Sequence, residues 1–281
     1  MRFHIRATAP FCLFVATLTL TPATAAFAQH EAGQAQGPSK YLFLENDELK
    51  PNTSFAYAKS QGEEAQAMRE AKAPDHFVGM WGITGANHVL FLHGFDSFAD
   101  LQKGHEDTFA IPKALDALKT SEAGQAPLVA SEHDSIYSYE KELSLNPNVD
   151  LSKMRFMRIL LFHVRSGHDA DFRRLAKLFV KAYQSAIPDA RWAMFQKMYG
   201  VGSDNVYILV TPMESLAVVD AMVSGDKKFN DAVGEEQLQT LMKGLDAAVE
   251  SSESDLFAFD AQLSYVPDSW ISSSPDFWAK K

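Results

Sequence analysis

His163 and Arg165 stand two residues apart at the end of an apolar run from Arg158 to Val164. In an extended chain, residues two apart share a face. An imidazole that can move a proton and a guanidinium that can hold an anion would therefore point the same way. Tyr199 and Tyr207 lie on neighbouring strand-like runs and add phenol groups. Trp81, His93 and Glu45 come from an earlier, similar stretch, and Glu45 is a natural counter-charge for Arg165. These seven residues form a candidate ligand-binding set for a small aromatic or apolar molecule, with a carboxylate or phenolate on Arg165. A buried arginine and histidine cost several kcal/mol unless partnered, so finding them inside would call for a ligand or a partner. The competing expectation is a packed aromatic interface, with Arg165 reaching solvent and His163 bonded to backbone.

No other spacing points to a reaction, and no catalytic residue is assigned. His88 and His93 are five apart on a strand, hence on opposite faces, and His163 and His168 span a turn. His105-Glu106-Asp107 and His133-Asp134 are local polar clusters of the kind found in solvated loops. Zinc sites show tighter ligand spacing, so no metal is expected, and no cofactor either. The chain has no G-x-S-x-G, no P-loop and no G-x-G-x-x-G opening a helix. The glycines between Gly79 and Gly85 fall on a hairpin.

The ends carry an address. Arg2 and Arg6 precede an apolar stretch from Ala9 to Leu20, and Ala26-Phe27-Ala28 supplies an A-x-A cleavage site before Gln29. The apolar stretch is shorter than the roughly 20 residues a bilayer requires, so residues 1–28 are expected to be a signal peptide. The product would be exported, periplasmic or extracellular, and soluble. Cys12, the only cysteine, lies in that segment, so the mature chain has no disulfide. Removing Arg2 and Arg6 leaves 26 − 2 = 24 basic residues against 36 acidic ones, a net charge of −12. That disfavours nucleic acid and anionic membranes as partners.

The chain is expected to position these residues with two copies of one unit. Met80 to Leu101 resembles Met198 to Val219 at an offset of 118, with Gly82 on Gly200 and Asn87 on Asn205. Ser131 to Ser144 resembles Ser251 to Ser264 at an offset of 120. At 118, Leu42, Ala58, Lys59 and Gln66 also fall on Leu160, Ala176, Lys177 and Gln184. In the second copy a strand precedes a helix with Asp169 and Asp171 in its first turn, where they complement the dipole. The apolar stripe of Phe172, Leu175, Phe179, Ala182 and Ala186 keeps helical spacing, and Pro188 ends it. A hairpin follows through Gly200, Gly202 and Asp204. Thr211-Pro212-Met213-Glu214 reads as a capped helix start, Gly225 as its break, and Glu235 to Val249 as another helix. Leu256 to Leu263 closes the unit as a strand.

The order βαββαβ is ferredoxin-like. The expected division is a flexible leader 29–40, repeat 41–145, linker 146–154, repeat 155–266 and an aromatic tail 267–281. Aliphatic Val206, Ile208 and Val210 are expected beneath the helices. Tyr207, Leu209 and Thr211, with Val89, Phe91 and His93, would then face the other repeat. His163 and Arg165, with Phe43 and Glu45 as their first-copy equivalents, belong to that inner face.

Two such units, together with Gly167-His168-Asp169-Ala170-Asp171-Phe172 at a helix start, resemble the dimeric α+β barrel superfamily in fused form, over about residues 41 to 266. The resemblance implies two facing sheets with helices outside. It also implies a range of activities, among them cofactor-free oxygenation and haem-dependent chemistry, so fold does not give function. A haem would need an axial histidine with an arginine nearby, and His163 with Arg165 is the pair on the expected inner face. Three readings stay open: a binding protein, an enzyme of those types, and a structural or interaction protein. The oligomeric state is open too.

Overall fold

The computed structural model describes residues 37–202 and 205–279. The expected signal peptide 1–28, most of the leader, Asp204 of the second hairpin turn and the last two residues lie outside these. The described residues form eight strands: β1 (Tyr41–Leu49), β2 (Phe77–Gly82), β3 (His88–Phe95), β4 (Val129–Tyr139), β5 (Phe156–Val164), β6 (Ala193–Gly200), β7 (Val206–Met213) and β8 (Val249–Tyr265). They close into one barrel in the order β1-β3-β2-β8-β5-β7-β6-β4, with every neighbouring pair antiparallel. The first four strands are thus ordered β4-β1-β3-β2 and the last four β8-β5-β7-β6. The halves meet at β2–β8 and β4–β6.

Helices cover the outside: α1 (Ser54–Ala71), α2 (Phe98–Phe109) and α3 (Pro112–Gln125) on the first half, and α4 (Asp169–Ala186), α5 (Ala217–Val233) and α6 (Glu235–Ala248) on the second. The tail folds as α7 (Asp268–Ser273) and α8 (Pro275–Trp278). Their local causes are ordinary. Ser97 caps α2 by accepting from the Asp100 amide at 3.1 Å while donating to the Asp100 carboxylate at 2.6 Å. α4 carries Asp169 and Asp171 in its first turn. α1 ends where Lys72 takes a left-handed conformation, φ 53°.

Two expectations fail here. Thr211, Pro212 and Met213 do not open a helix. They continue β7, paired with β5 as far as Phe156↔Met213, and α5 begins at Ala217 without a side-chain cap. Ladder pairing and burial of Thr211, 2% exposed, outweigh the local capping pattern. Gly225 does not break α5 either. It lies inside the helix, and a Cβ there would come within 3.1 Å of Ile187.

The hydrogen-bond registers of the two halves depart from the expected offset of 118 in the first strand. The Leu49 amide donates to the Asn87 carbonyl at 2.7 Å, and the Val164 amide to the Asn205 carbonyl at 2.8 Å. Asn87 therefore matches Asn205 at 118, but Leu49 matches Val164 at 115. Helices α1 and α4, both 18 residues long, also start 115 apart. The second hairpin is three residues longer: Met80 faces Leu90, while Phe195 faces Ile208. Gly82 consequently stands opposite Lys197 in the comparison of halves, not Gly200. An odd slip inverts strand parity, so Phe43 and Glu45 do not share the face of His163, which has the parity of interior Ile159 and Leu161.

The core divides into an interior and two helix–sheet layers. Leu42, Leu44, Val78, Met80, Leu90, Leu92, Ile159, Phe195, Val206, Ile208, Val210, Phe257 and Phe259 pack together inside the barrel. Val206, Ile208 and Val210 are thus interior, contrary to expectation, and Tyr207, Val89 and Phe91 lie under the helices. Gly79 leaves room for the β8 bulge, whose Leu263 packs in the helix-covered layer, since a Cβ there would sit 2.6 Å from the Leu263 Cβ. Trp270 and Trp278, each 2% exposed, close one end of the interior, and the Trp278 indole donates to the Ser152 carbonyl at 2.7 Å. Beside Trp270 lies a small apolar cavity of about 90 Å³, lined from both halves.

Candidate functional site

The larger space lies outside the barrel, between the first-half sheet and α1, α2 and α3. It has a volume of about 390 Å³. Its floor comes from alternate residues of two adjacent strands, Phe43 and Glu45 on β1 and Phe91 and His93 on β3, with Phe77 from β2. Its roof comes from Gln61, Glu64 and Met68 on α1, Leu101, His105, Thr108 and Phe109 on α2, and Leu115, Leu118 and Gln125 on α3. Asp75, from the turn between α1 and β2, completes one wall, and exposed Lys119 and Glu122 stand at the rim.

The polar groups are held in a definite order. The imidazole of His93 lies between two carboxylates, with Nε2 4.0 Å from Glu45 and Nδ1 3.8 Å from Asp75. Phe43 and Phe77 stand 5.5 Å from that ring on either side. Burial pushes the Asp75 carboxyl up, but His93 outweighs it and holds the group below its ordinary value. Behind Glu45, directly opposite it on β4, sits Asp134. Burial and then the Glu45 charge push Asp134 up to about 6.

On the roof, the Gln125 amide donates to Gln61 and to Ser121, both at 2.7 Å. Ser121 and Gln61 in turn face the Glu64 carboxyl. Burial nevertheless pushes Glu64 up to about 7, since these contacts only partly offset desolvation. Thr108 is 4% exposed, and its Oγ1 has no hydrogen-bond partner among the described residues. A helical threonine commonly bonds back to the carbonyl one turn earlier, so this hydroxyl, in the cavity wall, is an unspent donor. A cavity with aromatic walls, a carboxyl that titrates near neutrality and an imidazole–carboxylate row can bind a small molecule and accept or return a proton.

The seven residues singled out in the sequence are not brought together. Glu45 and His93 meet in this cavity, under the helices and not between the halves. Trp81 lies in the same helix-covered layer but behind the cavity, its indole donating to Asp260 at 2.8 Å. Tyr207 lies under the second-half helices and donates to Asp169 at 2.6 Å while accepting from Arg173 at 3.2 Å. Tyr199 is 59% exposed, edge-on to Phe98. Arg165 is exposed, and its amide donates to the Ala248 carbonyl. His163 is half-buried, at the end of β5 opposite Val206 and Ser251. Phe43 and Glu45 are not the equivalents of His163 and Arg165. The 115 offset puts Glu48 and Lys50 there.

Sequence reasoning missed Glu64, Asp75, Gln61 and Thr108. The available signal was the comparison of the copies at the correct offset. Glu45, Gln61, Glu64 and Asp75 stand where the second half has Leu160, Ala176, Phe179 and Ala190, and His93 stands where it has Thr211.

Among the described residues, no group of three or more His, Cys, Asp or Glu is placed to hold a metal ion, and no helix is long and apolar enough to cross a membrane. No family model matches the sequence, and no curated protein matches it. Solved structures do match in fold. A monooxygenase-like protein from Fusobacterium nucleatum aligns with TM-score 0.50 and 8% identity, over 80% of this chain and 94% of its own. A monooxygenase-like protein from Lactobacillus acidophilus aligns with TM-score 0.46 and 9% identity, over 79% and 94%. A mutant chlorite dismutase from Candidatus Nitrospira defluvii aligns with TM-score 0.43 and 9% identity, over 85% and 98%. These neighbours are of the dimeric α+β barrel superfamily, and the likeness is one of fold.

The haem that the superfamily resemblance implies does not fit the cavity. Both nitrogens of His93 face carboxylates, which leaves neither directed at an axial position. No arginine lines the space, and Glu45, Glu64 and Asp75 would oppose the haem's own carboxylates.

Proposed function

We propose that this is an exported small-molecule-binding protein whose site is the helix-covered cavity of the first half. Its two halves are read as tandem ferredoxin-like βαββαβ repeats, one open to a ligand and one filled. The strand orders β4-β1-β3-β2 and β8-β5-β7-β6 support the repeat reading. The observation that carries the function is the confinement of Glu45, Gln61, Glu64, Asp75 and His93 to one half. A fold that needed only a packed core would have no reason to place four costly polar groups where its other half uses Leu160, Ala176, Phe179 and Ala190. The ligand has an apolar body for the phenylalanine walls and hydrogen-bond donors for the carboxyls.

A fragment screen by protein-observed NMR tests this. Apolar fragments bearing a donor should perturb residues around Glu64 and His93 in the native chain and not in Glu64→Phe, which fills the cavity with the second half's residue. Perturbations confined to the barrel interior, or unchanged in that variant, would refute the assignment. Export rests on the three ordered regions of residues 1–28. An intact mass corresponding to a start at Gln29 is the expected result, and a product retaining Cys12 would rule it out.

A second reading is favoured by one observation, the Glu64 carboxyl at about 7. A general base works best near the operating pH. Glu64 could then take a proton from a weakly acidic aromatic substrate, as a cofactor-independent oxygenase requires. Consumption of dissolved oxygen with such a substrate, lost in Glu64→Gln, would establish it over simple binding.

A further inference from the structure

The cavity's charge narrows its occupant further, given the reading that the cavity is the binding site. Four carboxyl groups line it, Glu45, Glu64, Asp75 and Glu122, against one lysine, Lys119, at the rim. Two histidines, His93 and His105, complete the titratable lining, and Asp134 adds a further carboxyl behind Glu45. Between these carboxyls stand four phenylalanine rings, Phe43, Phe77, Phe91 and Phe109. An anionic ligand would meet like charge in a partly desolvated space, which opposes binding. A neutral apolar ligand would displace water from the carboxyls without bringing a counter-charge. A cation satisfies both features: carboxylates pair with it, and ring faces attract it. The unspent Thr108 hydroxyl, buried in the same wall, offers an acceptor to an N–H group or a donor to a polar substituent.

We infer that the occupant is a primary or secondary amine on a compact aromatic or aliphatic body. Its ammonium sits among Glu64, Asp75 and Glu45, and its body lies against Phe43, Phe77, Phe91 and Phe109. Binding is coupled to proton release. Glu64 is pushed up to about 7, so near neutrality a cation must displace its proton. Amine affinity therefore rises with pH until Glu64 is fully ionised, about tenfold between pH 6 and pH 8 for a single group titrating near 7. The groups that could blur this dependence are Glu45 on β1, His93 on β3, Asp134 on β4, Asp75 in the turn, His105 on α2, and Lys119 and Glu122 on α3.

Calorimetry on the mature chain with three isosteric probes tests the inference: 2-phenylethylamine, 2-phenylethanol and phenylacetate. The amine should bind at least tenfold more tightly than the alcohol at pH 8, and phenylacetate should give no measurable heat. Glu64→Gln should reduce the amine preference and flatten its rise between pH 6 and 8. Glu64→Gln keeps the size and hydrogen-bonding capacity of the residue, and an unchanged circular dichroism spectrum separates loss of charge from loss of fold. If that variant does not fold, Asp75→Asn is read in its place for amine preference. Equal binding of amine and alcohol would overturn the cation assignment while leaving the cavity as the site. Binding of none of the three would overturn both. Tighter binding of phenylacetate would reverse the sign of the charge argument altogether.

Discussion

The two helix–sheet layers answer one packing problem in opposite ways. In the second half, α4 brings Phe172, Leu175 and Phe179 down onto the sheet, and Phe179 and Tyr183 stack on Phe229 of α5 at 6.2 and 4.2 Å. Its polar groups form a closed cluster in which Arg173 binds Glu140 at 2.6 Å and Tyr207 binds Asp169. In the first half the same places carry Tyr57, Ser60, Glu64 and Met68, with Gln61 at the place of Ala176, and roof and floor enclose about 390 Å³. Tyr57, fully buried, donates to Asp47 at 2.5 Å, where the second half sets Phe172 near Phe162. Burial and the Asp47 charge raise the Tyr57 phenol far above its ordinary value, so it stays a donor. The lesson is that a fold needs only one layer of each kind filled. The layer that keeps polar groups and space is the one that function can use.

Exchanging residues between the layers is the strongest way to break this contrast. Phe179→Glu places a carboxyl in the filled layer beside Phe229, with no cavity to admit a partner. A loss of about 3 kcal/mol in denaturant unfolding is expected. The reverse exchange, Glu64→Phe, should leave stability unchanged or higher, because it removes a desolvated carboxyl and fills space. Equal losses from both exchanges would mean that the layers are not specialised.

The next effect is smaller and depends on pH. Glu64 has a folded value raised from 4.5 to about 7, so the folded state binds its proton more tightly than the unfolded state does. The stability from that proton is fully present below the unfolded value and is lost as pH rises through about 7. The native chain should therefore lose on the order of 2 kcal/mol relative to Glu64→Gln between pH 4.5 and 8. Thermal unfolding of the two proteins across that range measures it, and parallel curves would place Glu64 in water.

The smallest effect is a control on the outer helix faces. Lys59 on α1 and Arg174 on α4 occupy equivalent positions and pair with Glu63 and Asp171 in exposed ion pairs. Lys59→Ala and Arg174→Ala should each shift stability by under about 0.5 kcal/mol, and similarly. Unequal or larger losses would mean that the halves also differ outside their cavity-facing sides.

Much of this was legible in the residues. The α+β class follows from strand-like and helix-like runs in alternation, and the apolar stripe of α4 marked its buried face before any contact was known. Glu45, singled out as a counter-charge for Arg165, and His93, singled out by strand parity, do meet in the cavity, although not with the partners expected for them. Which way those residues faced was not legible. A hairpin longer by three residues changes the offset between halves from 118 to 115, and strand faces alternate with period two. Inferring one half's faces from the other through the wrong offset therefore inverts them on β1 and β2, while on β7 the aliphatic Val206, Ile208 and Val210 mark the interior and not the helix side. The proximity of Asp75, Glu64 and His93 was not legible either, because they come from a turn, a helix and a strand that only the closed layer brings together. The same holds for the Glu64 proton, since its affinity follows from desolvation, and desolvation is a property of the surrounding fold.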